Sequence, residues 1–206
     1  MAPVGTPSRH GLGLSTGGRS QLLLWLWAML LLGLTWPSMV GDAHAQRSDP
    51  VAEEKVKAAY LSKFGAYVTW PDGAFARDDS PLDIGVMDSD ALAAELTEMV
   101  AGRSQDQRSI RVRRVHEGDS LAGLHVLFVG RRNQSALEDV LAAVKGQPTL
   151  TVTEAAEGLQ GGGMINFVRT EGRLRFQVSP RAASASRLAI SARLLAAALK
   201  VEGVSP

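Results

Sequence analysis

The chain has 206 residues, with 22 lysines and arginines against 21 aspartates and glutamates, and it contains no cysteine. The balanced charge gives no electrostatic reason to expect nucleic acid or an anionic membrane as a partner. The absence of cysteine excludes disulfides, thiolate metal sites and lipid attachment through an N-terminal cysteine.

The first 45 residues have the three-part layout of a secretory signal peptide. A basic front precedes an almost wholly apolar run over residues 22–34, and Ala43-His44-Ala45 supplies the small residues that signal peptidase reads. The apolar run of about 13 residues is short against the roughly 20 that span a bilayer, which disfavours the alternative of an uncleaved anchor. We therefore expect cleavage after Ala45, localisation to the periplasm, and one compact domain over residues 46–206 with no net charge.

An amphipathic helix is predicted at about residues 53–69, because apolar and aromatic residues recur there at helical spacing. Pro71 ends the run, since proline disfavours helical geometry at the preceding Trp70. The side chains expected to face the core are Val56, Tyr60, Phe64, Tyr67 and Val68, and those expected to face water are Lys55, Lys57, Ser62 and Lys63.

Alternating strands and capped helices follow in the middle of the chain. A strand is predicted at residues 82–87, and a helix capped by Asp88 or Ser89 runs from there to about residue 100. Residues 109–115 predict a strand with one basic face, and residues 124–129 are nearly continuous in apolar side chains, as in a central strand covered on both faces. Ser135 and Glu138 match a capping box for the next helix.

The last third of the chain predicts a short strand at residues 149–152 and a hairpin formed by residues 164–169 and 173–178. Ser179-Pro180 starts a helical tail that runs to about residue 200, with a break near residues 188–190 after which Ser191 caps the second piece. The order of these elements predicts an α/β fold, namely a three-layer α/β/α single domain with a mixed sheet of about six strands.

Catalytic and metal-binding residues are not predicted, and neither is a cofactor. Only His116 and His125 follow the signal peptide, their spacing fits no metal motif, and no G-x-S-x-G sequence occurs in residues 46–206. Pairs of carboxylates such as Glu53 with Glu54 are interpreted as solvated surface charge rather than acid/base catalysts. The sequence therefore indicates a protein that is not an enzyme.

The glycine-rich run at residues 158–163 has two interpretations. It leads into a strand rather than a helix, which favours a tight, closely packed turn over a phosphate-binding loop. The alternative is a small-anion site, because consecutive backbone N–H groups and arginines on one strand face both bind anions. The residues of this candidate anion site are Gly161, Gly162, Arg173 and Arg175.

Three blocks of sequence resemble the YfiR family of small periplasmic proteins, and together they extend over most of residues 46–206. The first block is Lys57-Ala58-Ala59-Tyr60-Leu61 through Phe64 and Tyr67-Val68 to Trp70-Pro71. The second block is Leu150-Thr151-Val152 through Gly158 to Gly163-Met164-Ile165-Asn166-Phe167-Val168. The third block is Arg173-Leu174-Arg175-Phe176-Gln177-Val178, followed by Leu188, Ile190-Ser191 and Leu194-Leu195.

The resemblance implies a periplasmic regulator that binds and represses the periplasmic sensor region of a membrane diguanylate cyclase, which lowers cyclic di-GMP signalling and biofilm formation. Redox control through disulfides, which occurs in some family members, is excluded by the absence of cysteine. Ser179 stands where the family usually has asparagine, and both residues cap helices. The alternative function is a periplasmic sensor or binding protein for a small anionic metabolite, acting on another membrane signalling protein.

The partner-facing residues are predicted at the break in the helical tail, where apolar side chains would become exposed. They are Leu188, Ile190 and Leu194, and packing in the core is the alternative for each of them. A homodimer is left open, and no nucleic acid is expected as a partner.

Overall fold

The computed structural model describes residues 50–105, 108–131 and 134–203, so the predicted signal peptide lies outside the described residues. The helices are α1 (Pro50–Phe64), α2 (Asp90–Val100), α3 (Gln134–Ala143), α4 (Pro180–Ala185) and α5 (Ala192–Ala197). The strands are β1 (Val68–Thr69), β2 (Leu82–Met87), β3 (Ser104–Gln105), β4 (Arg108–Val115), β5 (Val126–Val129), β6 (Leu150–Thr153), β7 (Ile165–Thr170), β8 (Arg173–Val178), β9 (Ala189–Ile190) and β10 (Lys200–Val201). No helix within these ranges is long and apolar enough to cross a membrane.

Eight of these strands form one mixed sheet in the order β10-β8-β7-β6-β5-β2-β4-β3, and β1 and β9 pair separately. Strands β4, β2, β5, β6 and β7 run parallel to one another, whereas β8 is antiparallel to β7 as the predicted hairpin requires. The three-layer α/β/α fold is confirmed. The sheet exceeds the predicted six strands because β3 and β10 at its edges have two residues each, too few to show a pattern of alternation.

Alternation along the central strands builds two cores on opposite faces of the sheet. On one face, Ile84, Val126 and Phe128 pack in the core that includes residues of α1 and α2. On the other face, Leu127 and Val129 pack with residues of α3. Strand β5 is therefore buried on both sides, as its continuous apolar sequence predicts.

The first helix differs from its prediction at both ends. It starts at Pro50 and ends at Phe64, after which a 3₁₀ turn (Gly65–Tyr67) leads into β1. Strand β1 pairs antiparallel with β9, so the predicted break in the tail is a short strand that separates α4 from α5. The predicted helical geometry up to Thr69 was wrong because this segment takes part in a tertiary strand pair.

The buried face of α1 was also predicted only in part. Phe64 is buried as expected, but Val56 is 43% exposed and Lys57 only 4% exposed, which reverses the two predicted orientations. The buried residues of the helix are Lys57, Ala58, Leu61 and Phe64. Lys57 lies on this face because its ammonium group forms ion pairs there with acidic side chains, which are described below.

Polar caps hold the shorter helices at their first turns. The hydroxyls of Ser89, Ser179 and Ser191 accept backbone N–H groups of α2, α4 and α5, respectively. These three caps were predicted from the sequence. The capping box was not found, because α3 starts at Gln134 and Ser135 lies inside the helix.

Candidate functional site

The predicted partner-binding residues occupy different environments in the folded chain. Leu188 and Leu194 are 2% and 4% exposed, respectively, and belong to the core on the α1 side of the sheet. Ile190 is half-buried in β9, opposite Val68 of β1. Ile190 is therefore partly accessible at the surface, whereas Leu188 and Leu194 are not.

The residues of the candidate anion site are not brought together. Gly161 and Gly162 line a cleft beside α3 and α4, close to the start of β7. Arg173 pairs with Thr170 at the far end of the β7–β8 hairpin, five residues along β7 from Ile165, or about 17 Å. Arg173 and Arg175 are exposed on the strand face opposite Phe176. A single anion site made of these four residues is therefore not formed.

The glycine-rich run forms a closely packed turn, in agreement with the preferred interpretation. A Cβ atom on Gly158 would collide with Thr153 Oγ1 and Asn166 Oδ1, and would lie 2.8 Å from Asn166 Cγ. Thr153 Oγ1 donates to Asn166 Oδ1 at 2.8 Å, and Asn166 Nδ2 donates to the carbonyl of Ala155 at 3.0 Å. These hydrogen bonds, made by residues of the second sequence block, attach the segment after β6 to strand β7.

A buried lysine joins the first sequence block to the segment after β6. Lys57 Nζ lies 2.6 Å from Glu154 Oε2, the residue that directly follows β6. It also lies 3.2 Å from Glu53 Oε1 and 3.0 Å from Glu54 Oε1, one helical turn earlier in α1. Glu53 Oε2 in turn lies 3.2 Å from Arg169 Nη2 of β7. We call these five residues (Lys57, Glu53, Glu54, Glu154 and Arg169) the Lys57 cluster.

Opposing effects act on the charge of Lys57. Its burial would lower the pKa of the ammonium group, but hydrogen bonds and attraction from Glu154 and Glu54 outweigh burial and raise that pKa. Lys57 is therefore charged across the physiological range. Glu54 Oε2 is buried without a hydrogen-bond partner within the described residues, so the cluster leaves one acceptor unsatisfied. The interpretation of Glu53 and Glu54 as solvated surface charge was wrong.

Four aromatic rings connect the three sequence blocks below the Lys57 cluster. Tyr60 and Phe64 of α1 lie with centroids 5.4 Å from Phe176 of β8 and 5.8–5.9 Å from Phe167 of β7. Stacked, tilted and edge contacts at these distances stabilise aromatic pairs beyond the area that they bury. The blocks that are separate in sequence therefore build one structural unit.

A cleft of about 510 Å³ lies beside the Lys57 cluster. Its lining residues are Glu53, Arg131, Glu154, Ala155, Ala156, Phe167, Val168, Arg169 and Leu174. Arg131 and Glu154 follow the carboxyl ends of the parallel strands β5 and β6. Ligands of open α/β sheets bind at this edge, which makes the cleft the best-placed candidate binding site in the described residues. We call it the carboxyl-end cleft.

A second polar group lies at the opposite, amino end of the strands. His125 Nδ1 accepts the backbone N–H of Asp83 at 3.1 Å, and His125 Nε2 lies 3.0 Å from the carbonyl oxygen of Ala74. The imidazole stacks on Phe75 at 4.2 Å between centroids. These contacts hold residues 70–81, here called the Trp70 loop, against the sheet.

Charged groups surround His125 without pairing with it. The carboxylate of Asp83 is held in a bidentate ion pair by Arg111, and Arg108 stacks over Phe75 at 3.9 Å while donating to the carbonyls of Arg77 and Ser80. Burial lowers the pKa of His125, so the ring is neutral near pH 7, with its proton on Nε2. The contacts of His125 therefore have a structural role, which is to attach the Trp70 loop to the sheet.

Sequence reasoning missed Lys57, Glu154 and Arg169 as members of one cluster. The available signal was the position of Glu154 and Arg131, because each follows an apolar parallel strand. Within the described residues, no group of histidine and acidic side chains is arranged to hold a metal ion.

The described residues form a three-layer α/β/α domain with a charged cluster and an open cleft at the carboxyl end of its sheet. The family described as YfiR/HmsC-like matches residues 54–198, a range that contains all three sequence blocks. The chain belongs to the YfiR/HmsC-like family. Proteins of this family are periplasmic, are regulatory rather than catalytic, and normally interact with a membrane sensor partner. A search of curated proteins finds no significant match to the chain.

Proposed function

We propose that this protein is exported to the periplasm and represses a membrane diguanylate cyclase by binding the periplasmic sensor region of that enzyme. The supporting observation is the family match over residues 54–198. The fold is consistent with the family match, because the three sequence blocks that carry the resemblance meet at the Lys57 cluster and at the four aromatic rings next to it.

Repression would shift the population of the cyclase's sensor region from its active to its inactive arrangement. A sensor region that exchanges between an active and an inactive arrangement is inhibited by any protein that binds the inactive arrangement more tightly. A tenfold difference in affinity corresponds to about 1.4 kcal/mol, so a small interface suffices for partial control. The protein itself needs no catalytic group for this function.

The contact surface is proposed around strand β9, where Ile190 is half-buried beside the two-residue ladder with β1. The ladder is short, and its backbone is fixed by the Ser191 N–H donating to the Tyr67 carbonyl at 2.8 Å. Leu188 and Leu194 support this strand from the core. A partner that binds here would contact Ile190 first.

The proposal is tested by deleting the gene and measuring cyclic di-GMP in several growth conditions. We expect higher cyclic di-GMP and more biofilm in the deletion strain, and return to the wild-type level when the full chain is supplied in trans. Unchanged cyclic di-GMP in all conditions would reject control of a cyclase.

The second candidate function is a periplasmic sensor or binding protein for a small anionic ligand. The anion site predicted at Gly161, Gly162, Arg173 and Arg175 does not support it, because those residues are separated. The carboxyl-end cleft does, since it has the size of a small-molecule site and two arginines among its lining residues.

A further inference from the structure

We propose that the carboxyl-end cleft binds a small amphiphilic monocarboxylate, whose carboxylate is held by Arg131 and Arg169 and whose apolar body packs on Phe167 and Leu174. This binding is a property of the protein alone and goes beyond its proposed action on a cyclase.

The position of the cleft is the first argument. Strands β2, β5 and β6 are parallel, and the chain crosses from β4 back over β2 to β5, so the order of the strands reverses between β2 and β5, next to the carboxyl ends of β5 and β6 that border the cleft. Crevices outside the carboxyl ends of strands near such a reversal are the usual ligand sites of open α/β sheets. Arg131 and Glu154 follow two of these strands and line the cleft.

The charged groups of the cleft that are still free to bind a ligand are guanidinium groups, which are positive. The carboxylates of Glu53 and Glu154 are already held by Lys57, and Glu53 also pairs with Arg169. Arg131, in contrast, has no ion pair within the described residues. Arg169 uses one terminal nitrogen on Glu53, which leaves other guanidinium N–H groups for a ligand. The unused donors therefore favour an anion.

The shape of the donors and the neighbouring acids favour a carboxylate monoanion. A guanidinium group binds a planar carboxylate through two parallel hydrogen bonds. A phosphate dianion would be repelled by Glu53 and Glu154, which lie in the same cleft. A singly charged head group gains the arginine contacts with less of this repulsion.

The floor of the cleft favours an apolar body on the same ligand. Phe167 and Arg169 alternate along β7 and thus share one strand face, and Leu174 of β8 lies directly opposite Arg169. Ala155 and Ala156 form a further apolar side. A ring or a short alkyl chain attached to the carboxylate would cover Leu174, which is half-exposed in the free protein.

The site, apart from the exposed Arg131, is held in place before a ligand arrives. Glu53 fixes Arg169, Lys57 fixes Glu154, and the packed turn at Gly158 fixes the segment that carries Ala155 and Ala156. Preorganised groups lose little conformational freedom on binding, which favours even a small ligand.

The test is a titration of the protein, purified from cells that express the full chain, with 3-phenylpropionate at millimolar concentrations. Binding is followed by the backbone amide resonances in NMR spectra. We expect shifts at Ala155, Ala156 and Val168, and none at the Trp70 loop. The neutral 3-phenylpropionamide should bind about tenfold more weakly or worse, because the charged hydrogen bonds are lost, and inorganic phosphate should also bind more weakly.

Arg131→Gln is the decisive variant, since Arg131 is exposed and its replacement breaks no ion pair of the described fold. It should weaken 3-phenylpropionate binding by about tenfold. Arg173→Gln, which removes an exposed arginine from the opposite strand face, should leave binding unchanged. The proposal is rejected if no cleft resonance shifts, if the amide binds as well as the acid, if phosphate binds more tightly, or if Arg131→Gln binds like the wild type. None of these outcomes bears on the control of a cyclase, which is measured in cells.

Discussion

At the carboxyl end of β6 a charged lysine attaches α1 to the sheet, whereas at the amino end of β5 a neutral histidine attaches the Trp70 loop. Lys57 meets three carboxylates, and its pKa is raised. His125 meets a backbone N–H, a backbone carbonyl and two aromatic rings, and its pKa is lowered. Both groups are buried and both bridge distant segments, but they do so in opposite charge states.

The difference shows how burial is compensated in each place. A buried charge is stable only when nearby opposite charges replace its hydration, and the Lys57 cluster provides several of them. A titratable ring with no such partner stays neutral and contributes one donor and one acceptor. The attachment at the carboxyl end therefore depends on ion pairs of a charged lysine, and the attachment at the amino end depends on an imidazole that must stay neutral.

The largest expected effect comes from removing the ammonium group at the carboxyl end. Lys57→Met leaves three carboxylates close together without their central cation, and we expect it to lower the free energy of unfolding by about 3 kcal/mol. Urea denaturation measures this change. Lys63→Met, an exposed lysine of the same helix, is the matched control and should change stability by less than about 0.5 kcal/mol. Equal stability of the two variants would show that the cluster contributes nothing to the fold.

The next effect comes from the turn that supports the same end of the sheet. Gly158→Ala places a methyl group against Thr153 and Asn166, which must separate and lose their hydrogen bond. We expect a loss of about 2 kcal/mol in the free energy of unfolding. Glu157→Ala changes the exposed neighbour in this turn and should be nearly neutral. A thermal denaturation curve for Gly158→Ala that overlays the wild type would contradict the packing described here.

Acid should weaken the attachment of the Trp70 loop at the amino end. Burial disfavours the charged imidazole, and a proton on Nδ1 would face the Asp83 N–H, which is also a donor, so the folded state binds the proton less readily than the unfolded chain. Because the folded pKa lies below the ordinary value of 6.5, the contribution is complete above pH 6.5. It is lost as pH falls through the folded pKa, by at most about 1.4 kcal/mol per pH unit.

Urea denaturation between pH 7 and the acid range tests this sign against two variants. His125→Gln retains a donor and an acceptor but does not titrate, so its stability should fall less steeply than that of the wild type as pH decreases. His116→Gln, at an exposed histidine, should follow the wild-type curve. If His125→Gln keeps the full pH dependence, another group carries it.

The smallest expected effect on stability is at the proposed partner surface. Ile190→Asp should lower the free energy of unfolding by about 1 kcal/mol, because the side chain is only half-buried, while strongly reducing co-purification with the cyclase. Ala189→Asp places the same charge on the exposed neighbour and tests whether charge alone disrupts binding. Circular dichroism distinguishes the alternatives, since an unfolded Ile190→Asp variant would place this residue in the core.

Local patterns in the sequence predict much of this fold. The apolar alternation of β2 and the continuous apolar run of β5 identify the sheet, and Ser89, Ser179 and Ser191 mark where helices begin. These features depend on neighbours within a few residues, so a single sequence contains them.

The candidate site depends on contacts that no local pattern contains. Lys57 has the spacing of a buried residue in α1, but its charge favours water until Glu154 is brought to it by the fold. In the same way, Gly158 signals a turn, whereas its lack of room for a Cβ atom arises only when Asn166 packs against it. The sequence predicts a break near residues 188–190, but the pairing of β9 with β1 arises only in the folded chain.

The aromatic rings that join α1 to the β7–β8 hairpin also bear on the order in which the chain folds. Tyr60 and Phe64 meet Phe167 and Phe176 about a hundred residues later in the chain, so the first helix completes its core only when the last hairpin is present. Contacts of this sequence separation slow folding and leave apolar surface exposed in shorter chains. A growing chain that stops before β7 would therefore keep the aromatic side of α1 uncovered, which makes such fragments natural targets for chaperones.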